Sequence, residues 1–181
     1  GEQVALIRYP HGGTFEIPIL TVNNKQSEAR RVLGNTPSDA IGINNKVADR
    51  LSGADFDGDT VMVIPTGGKV KITSTPALKG LEGFDPKLEY GGKKDGTFKV
   101  MKNTQTEMGK VSNLITDMTL KGATQDELAR AVRHSMVVID AEKHKLDYKQ
   151  SEIDNGIASL KKKYQGTYDE DGRYREGAAT L

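Results

Sequence analysis

Three aspartates stand at alternate positions around a single glycine: Asp55, Asp57 and Asp59, with Gly58 between the last two. The stretch reads Ala54-Asp55-Phe56-Asp57-Gly58-Asp59 and leads into the apolar run Val61-Met62-Val63-Ile64. Side chains at i, i+2 and i+4 of an extended segment share one face, and a turn at Gly58 would draw the carboxylates together. Glycine is the residue for a backbone with φ > 0 or in close approach to a ligand. Three clustered anions repel one another, so the arrangement calls for a cation. Carboxylate oxygens are hard ligands suited to Mg²⁺ or Mn²⁺. An EF-hand loop is excluded, because its sixth and twelfth positions, Gly and Glu, would here be Thr60 and Thr66. A solvated acidic turn is the other reading, and the strand-like run that follows argues against it.

Further residues fall into a pattern with the aspartates. Upstream stands Val4-Ala5-Leu6-Ile7-Arg8-Tyr9-Pro10, and Ile41-Gly42-Ile43 and Val47 lie between. Together these resemble the catalytic loop region of the two-barrel RNA polymerases. That family includes the largest subunit of cellular RNA polymerase, single-chain phage-encoded relatives and the silencing-type RNA-dependent RNA polymerases. The resemblance implies a double-psi β-barrel in which Asp55, Asp57 and Asp59 hold the catalytic Mg²⁺ and Arg8 approaches the incoming nucleotide. Gly53 stands where bacterial subunits usually carry Asn and where the silencing type tends to have Gly. Met108-Gly109-Lys110-Val111, Leu128-Ala129, His134-Ser135 and Asp140 with Lys143 resemble, more loosely, a second silencing-type pattern. On that pattern Lys143 is a further substrate-binding candidate.

A chain of 181 residues is long enough to bury a core in one or two small domains. Aromatic residues make up 6% and Trp is absent, so core material is lean, as in a piece that packs against something larger. A net charge of +1 gives no global field for nucleic acid. Cys is absent, which fits a reducing compartment, and the cytoplasm is the expected location. No apolar run approaches a membrane span or a signal-peptide core. The chain starts at Gly1 without Met, which reads as removal of a tag or as an excised fragment.

The expected fold is α+β: a double-psi β-barrel followed by a small helical region. Residues 1–65 carry the barrel strands, with strands at 3–9, 14–22, 38–43 and 60–65 and a helical turn or two over 44–51. Pro18 marks the second strand as an edge or bulged strand. Residues 66–103 are rich in Gly, Lys and Pro and read as an exposed excursion with small hairpins at 69–73 and 97–101 around Asp95-Gly96. Residues 104–164 read as helical. The first helix carries Met108, Val111, Leu114, Ile115 and Met118 on one face. The second opens on a capping box, Thr124 with Glu127, and carries Leu128, Val132, Met136 and Ile139 on one face. The third spans about 151–164, with Ile153, Ile157 and Leu160, and closes on Lys161-Lys162-Lys163, which suits the negative end of a helix dipole. Residues 165–181 read as a polar, flexible tail. His134, Asp140 and His144 do not make a metal set, because His134 and His144 fall on different helical faces.

The function the resemblance implies is that of a catalytic-barrel fragment of an RNA polymerase. Its partners would be nucleoside triphosphates, an RNA or DNA template and a second barrel that contributes lysines, with no membrane. This piece alone is expected to be inactive, since no second copy of the strand pattern follows Pro65. The rivals are a non-catalytic double-psi barrel docking module and a structural cation-binding domain.

Overall fold

The computed structural model describes residues 1–8, 13–51, 54, 58–67, 71–91 and 97–177. The chain is α+β, with short antiparallel strands and more helix than strand. It divides into two compact units, Gly1–Ala77 and Leu78–Leu181.

In the first unit the strands β1 (Gln3–Ile7), β2 (Ile19–Thr21) and β3 (Met62–Pro65) form one antiparallel sheet in the order β2-β1-β3. Among the described residues this sheet does not close into a barrel. β1 is central, and Ala5 faces Ile19 on one side and Ile64 on the other. Ala5 and Leu6 are fully buried there. Pro18 has no N–H to give, but its carbonyl accepts from Leu6 N at 3.1 Å, so the ladder continues one residue beyond β2. β2 is an edge strand, as Pro18 requires. Residues 14–16, expected in that strand, form a single 3₁₀ turn that buries Phe15. Its ring lies against Gly13, where a Cβ would sit 2.9 Å from Cε1. Residues 38–43 form no strand, and Ile41 is exposed. The expected helical turns over 44–51 appear as a 3₁₀ helix, Asn45–Arg50.

One helix of this unit was not expected. α1 (Ser27–Leu33) is capped by the Gln26 side chain, which accepts from Ala29 N at 2.7 Å, and stopped by Gly34 at φ 83°. It buries none of its residues completely, so it has no apolar stripe to betray it. Its signals were the Glu28–Arg31 pair at 2.9 Å and the terminal glycine.

The second unit is built on two helices, α3 (Thr104–Leu120) and α4 (Gln125–His144). All five apolar residues expected on one face of α3 are buried. The capping box at α4 forms in both directions. The buried stripe of α4, however, runs through Glu127, Ala131, His134, Val138 and Ala141, with Val132 and Val137 beside it. Of the expected face only Val132 is buried, and Ile139 is exposed. Small residues let the helices approach, and the polar members of the stripe have partners, so hydropathy pointed to the wrong azimuth.

The expected third helix is two helices, α5 (Tyr148–Asp154) and α6 (Ile157–Tyr164). Gly156 breaks it at φ 62°, and the Asn155 side chain turns back to Ser151 O at 2.9 Å. Ile153 is therefore 70% exposed rather than packed with Ile157 and Leu160. The segment expected as an exposed excursion contributes Leu78, Tyr90 and Met101 to the core of this unit, Tyr90 from a short helix, α2 (Pro86–Tyr90). Neither 71–73 nor 97–101 is a strand, and residues 69, 70 and the Asp95-Gly96 turn lie outside the described residues. The expected flexible tail contains a hairpin, β4 (Gly166–Tyr168) with β5 (Tyr174–Glu176). Asp169 accepts from Gly172 N and Arg173 N, and Gly172 takes φ 74°, so a Gly-ended acidic turn closes the ribbon.

Candidate functional site

β1 ends at Ile7 and β3 begins at Met62, and these two residues are paired. Extending that register by one step sets Arg8 opposite Val61 and puts Asp59 on the diagonal, within reach of a long side chain. Arg8 Nε donates to Asp59 Oδ1 at 2.9 Å and Arg8 Nη2 to the same oxygen at 2.5 Å. The side chains are 19% and 13% exposed. In this mostly buried pair two guanidinium donors converge on one carboxylate oxygen. The pair is worth more than a surface bridge, about 1–3 kcal/mol. Two residues that lie 51 positions apart are thus held together by sheet register.

Gly58, beside Asp59, has φ 117°, the left-handed half of conformational space that the motif anticipated. Nothing lies within 4 Å of where its Cβ would be, so glycine serves backbone conformation there and not close packing. Asp55 and Asp57, the other two carboxylates, lie outside the described residues. Among the described residues no group of three His, Asp or Glu is placed to hold a metal. Lys143 is exposed in the last turn of α4, in the second unit. Five residues before Asp55, Arg50 donates to Ser74 Oγ and to Thr75 O at 2.8 Å, tying the start of the loop to residues 74–75. Sequence reading did not single out Arg50, because its partners Ser74 and Thr75 lie more than twenty residues away.

An arginine–aspartate pair gives a clean test of coupling. Arg8→Ala and Asp59→Ala should each destabilise the first unit by about 2 kcal/mol, since each removes one side of a mostly buried, charge-assisted contact. The double variant should cost little more than either, leaving a coupling of at least about 1 kcal/mol in urea unfolding. Additive losses would mean the two side chains do not depend on each other.

Elsewhere the strongest electrostatic features are polar networks inside the second unit. His134 Nδ1 and Ser151 Oγ share a hydrogen bond of 3.0 Å, and both residues are buried. Burial pushes the His134 imidazole down to about 4. Glu127 accepts from Lys163 Nζ at 2.5 Å, from the Tyr164 hydroxyl at 2.6 Å and from Thr124 N at 3.0 Å. Lys163 first and Tyr164 second hold its carboxyl down to about 2. Asp117 is buried and accepts from Gln165 Nε2 at 2.8 Å. His134 thus makes a polar contact between α4 and α5. No described helix is long and apolar enough to cross a membrane.

The chain matches no family model, and neither a curated protein nor a solved structure shows significant similarity to it.

Proposed function

We propose that this chain carries the catalytic carboxylates of a nucleotidyltransferase of the two-barrel RNA polymerase class, and that its three-stranded sheet belongs to a double-psi barrel. The observation that supports the reading is the Arg8–Asp59 contact. Two sequence motifs read separately, an Arg-x-Pro segment and an Asp-x-Asp-Gly-Asp loop, meet at one pair of side chains. The donor set suits Mg²⁺ or Mn²⁺, since Asp55, Asp57 and Asp59 offer only hard carboxylate oxygens. A divalent cation bound there supplies positive charge to an attacking 3′-hydroxyl and to the departing pyrophosphate. Arg8 holds Asp59 in orientation until a triphosphate oxygen takes the place of the carboxylate on the guanidinium. The looser resemblance gives Lys143, in the second unit, a substrate-binding role of its own. The remaining cations that phosphoryl transfer needs would come from a second barrel, so this chain by itself is silent. A template of RNA or DNA and a cytoplasmic setting complete the proposal.

Mn²⁺ binding followed by water-proton relaxation tests it. Binding should appear in the parent chain and vanish in an Asp57→Asn, Asp59→Asn variant that keeps the same helical circular dichroism. Binding that survives both substitutions would place the cation elsewhere and remove the catalytic assignment. Template-directed nucleotide incorporation by this chain alone would show instead that one barrel suffices. The engagement of Asp59 by Arg8 also favours a second reading, a structural ion pair that only fixes the loop. In that case Mn²⁺ would not bind, and the Arg8–Asp59 coupling in unfolding would stand unchanged.

A further inference from the structure

The β4–β5 ribbon presents two tyrosines to solvent. Tyr168 and Tyr174 are paired directly across the strands, so their side chains stand on one face. Their ring centroids are 5.7 Å apart with the planes at 66°, an edge-to-face pair. Tyr168 is 64% exposed and Tyr174 39%. The inner ring is seated on Gly166: a Cβ there would fall 2.3 Å from Tyr174 Cε2 and 2.5 Å from Lys162 O. Only glycine leaves room for that ring, so the ribbon is shaped around Tyr174. Lys162 Nζ lies 5.7 Å from the Tyr174 centroid.

The charges near the rings are divided. Lys161, Lys163 and Arg175 pair with Glu152, Glu127 and Asp169. Among the described residues Lys162 and Arg173 are in no ion pair. Lys162 lies beside the ring pair, whereas Arg173, opposite Asp169 one step beyond the Tyr168–Tyr174 pair, stands on the other face of the ribbon. A ligand that satisfies this surface has a flat face for an exposed aromatic ring and an anion a few ångströms away. An unstacked nucleotide has both. Duplex nucleic acid does not, because its bases are already stacked. The turn carboxylates Glu170 and Asp171 oppose a polyanion, so they limit its affinity and its direction of approach.

We infer that the tyrosine face of the β4–β5 ribbon is a docking surface for single-stranded nucleic acid, with a base stacked on Tyr168 and a phosphate at Lys162. The inference stands apart from the carboxylate site in the first unit and needs neither metal nor nucleotide triphosphate.

Fluorescence anisotropy with short labelled oligouridine, oligothymidine and a duplex of equal length, in EDTA, tests it. Both single strands should bind better than the duplex. Tyr168→Ala should weaken that binding about tenfold and Tyr168→Phe should keep it, since stacking on one base is worth about 1–3 kcal/mol. Lys162→Gln should lower the slope of log affinity against log salt by about one. Neutralising the turn, Glu170→Gln with Asp171→Asn, should raise affinity. Tyr168 is exposed, so its loss leaves the fold intact, and unchanged helical circular dichroism confirms that. Equal binding of duplex and single strand would overturn the inference. So would an undiminished affinity in Tyr168→Ala, or poly-glutamate competing as well as an oligonucleotide. Because EDTA is present throughout, failure here leaves the Mn²⁺ experiment on Asp57 and Asp59 untouched.

Discussion

Acidification from pH 6.5 to pH 4 will cost the helical unit about 3 kcal/mol of stability through His134 alone, since each pH unit is worth about 1.4 kcal/mol. The imidazole is buried on α4 against Ser151, whose hydroxyl also meets Asn155 Nδ2 at 3.3 Å. Burial is the main cause of the depression. Glu152 and Glu107 oppose it weakly, and Lys161 and Lys149 assist it. The folded state binds its proton only near pH 4, whereas the unfolded chain binds it near 6.5. Between those values the unfolded state holds more protons, so stability is complete above 6.5 and drains away as pH falls towards 4. Urea unfolding at pH 7, 5.5 and 4 measures the slope. A His134→Gln variant should be uniformly weaker and should lose most of the pH dependence in this window. An equal slope in parent and variant would assign the acid sensitivity to other groups.

Glu127→Ala is expected to destabilise the same unit by about 3 kcal/mol. The residue closes the capping box with Thr124, worth about 1 kcal/mol, and it is also the acceptor for the buried Tyr164 hydroxyl. Truncation leaves that hydroxyl without its acceptor, at about 1–2 kcal/mol. The Lys163 ammonium adds little, because that side chain is mostly exposed. Thr124→Ala should cost about 1 kcal/mol, and adding it to Glu127→Ala should cost almost nothing more. The carboxyl sits near 2 in the folded chain against about 4.5 unfolded. Its contribution is therefore intact above pH 4.5 and lost as pH falls towards 2, below the His134 window. Thermal melts of the two single variants decide the matter: equal losses would show that Glu127 is a cap and nothing more.

What sequence could supply depended on whether the cause was local. The Thr124–Glu127 box, the apolar stripe of α3 and the conformation of Gly58 each follow from a few neighbouring residues, and each appears in the structure. The break between α5 and α6 was equally local, written in Asn155-Gly156, but the apolar spacing of Ile153, Ile157 and Leu160 outweighed it. The facing of α4 was not local. His134 and Glu127 look like surface residues until Ser151, Lys163 and Tyr164 are brought to them by later helices. The Arg8–Asp59 pair is of the same kind. Each residue was singled out by resemblance, but only the pairing of β1 with β3 makes them partners. Hairpin β4–β5 was missed because the run Asp169-Glu170-Asp171 gave the stretch a polar, tail-like composition that outweighed the Asp171-Gly172 turn signal.

Because β1 and β3 carry the ion pair between them, the chain joining them is in effect a tether with pinned ends. The entropy of pinning grows only with the logarithm of tether length, about 0.6 kcal/mol for each doubling. Segments between Thr21 and Ile41 could be lengthened or trimmed at small cost to the Arg8–Asp59 contact. A one-residue slip of β3 would not be tolerated, because it turns the whole strand over. Divergent chains built on this pair should therefore conserve two short intervals, from Arg to the end of β1 and from Asp to the start of β3. The distance separating those intervals is free to drift.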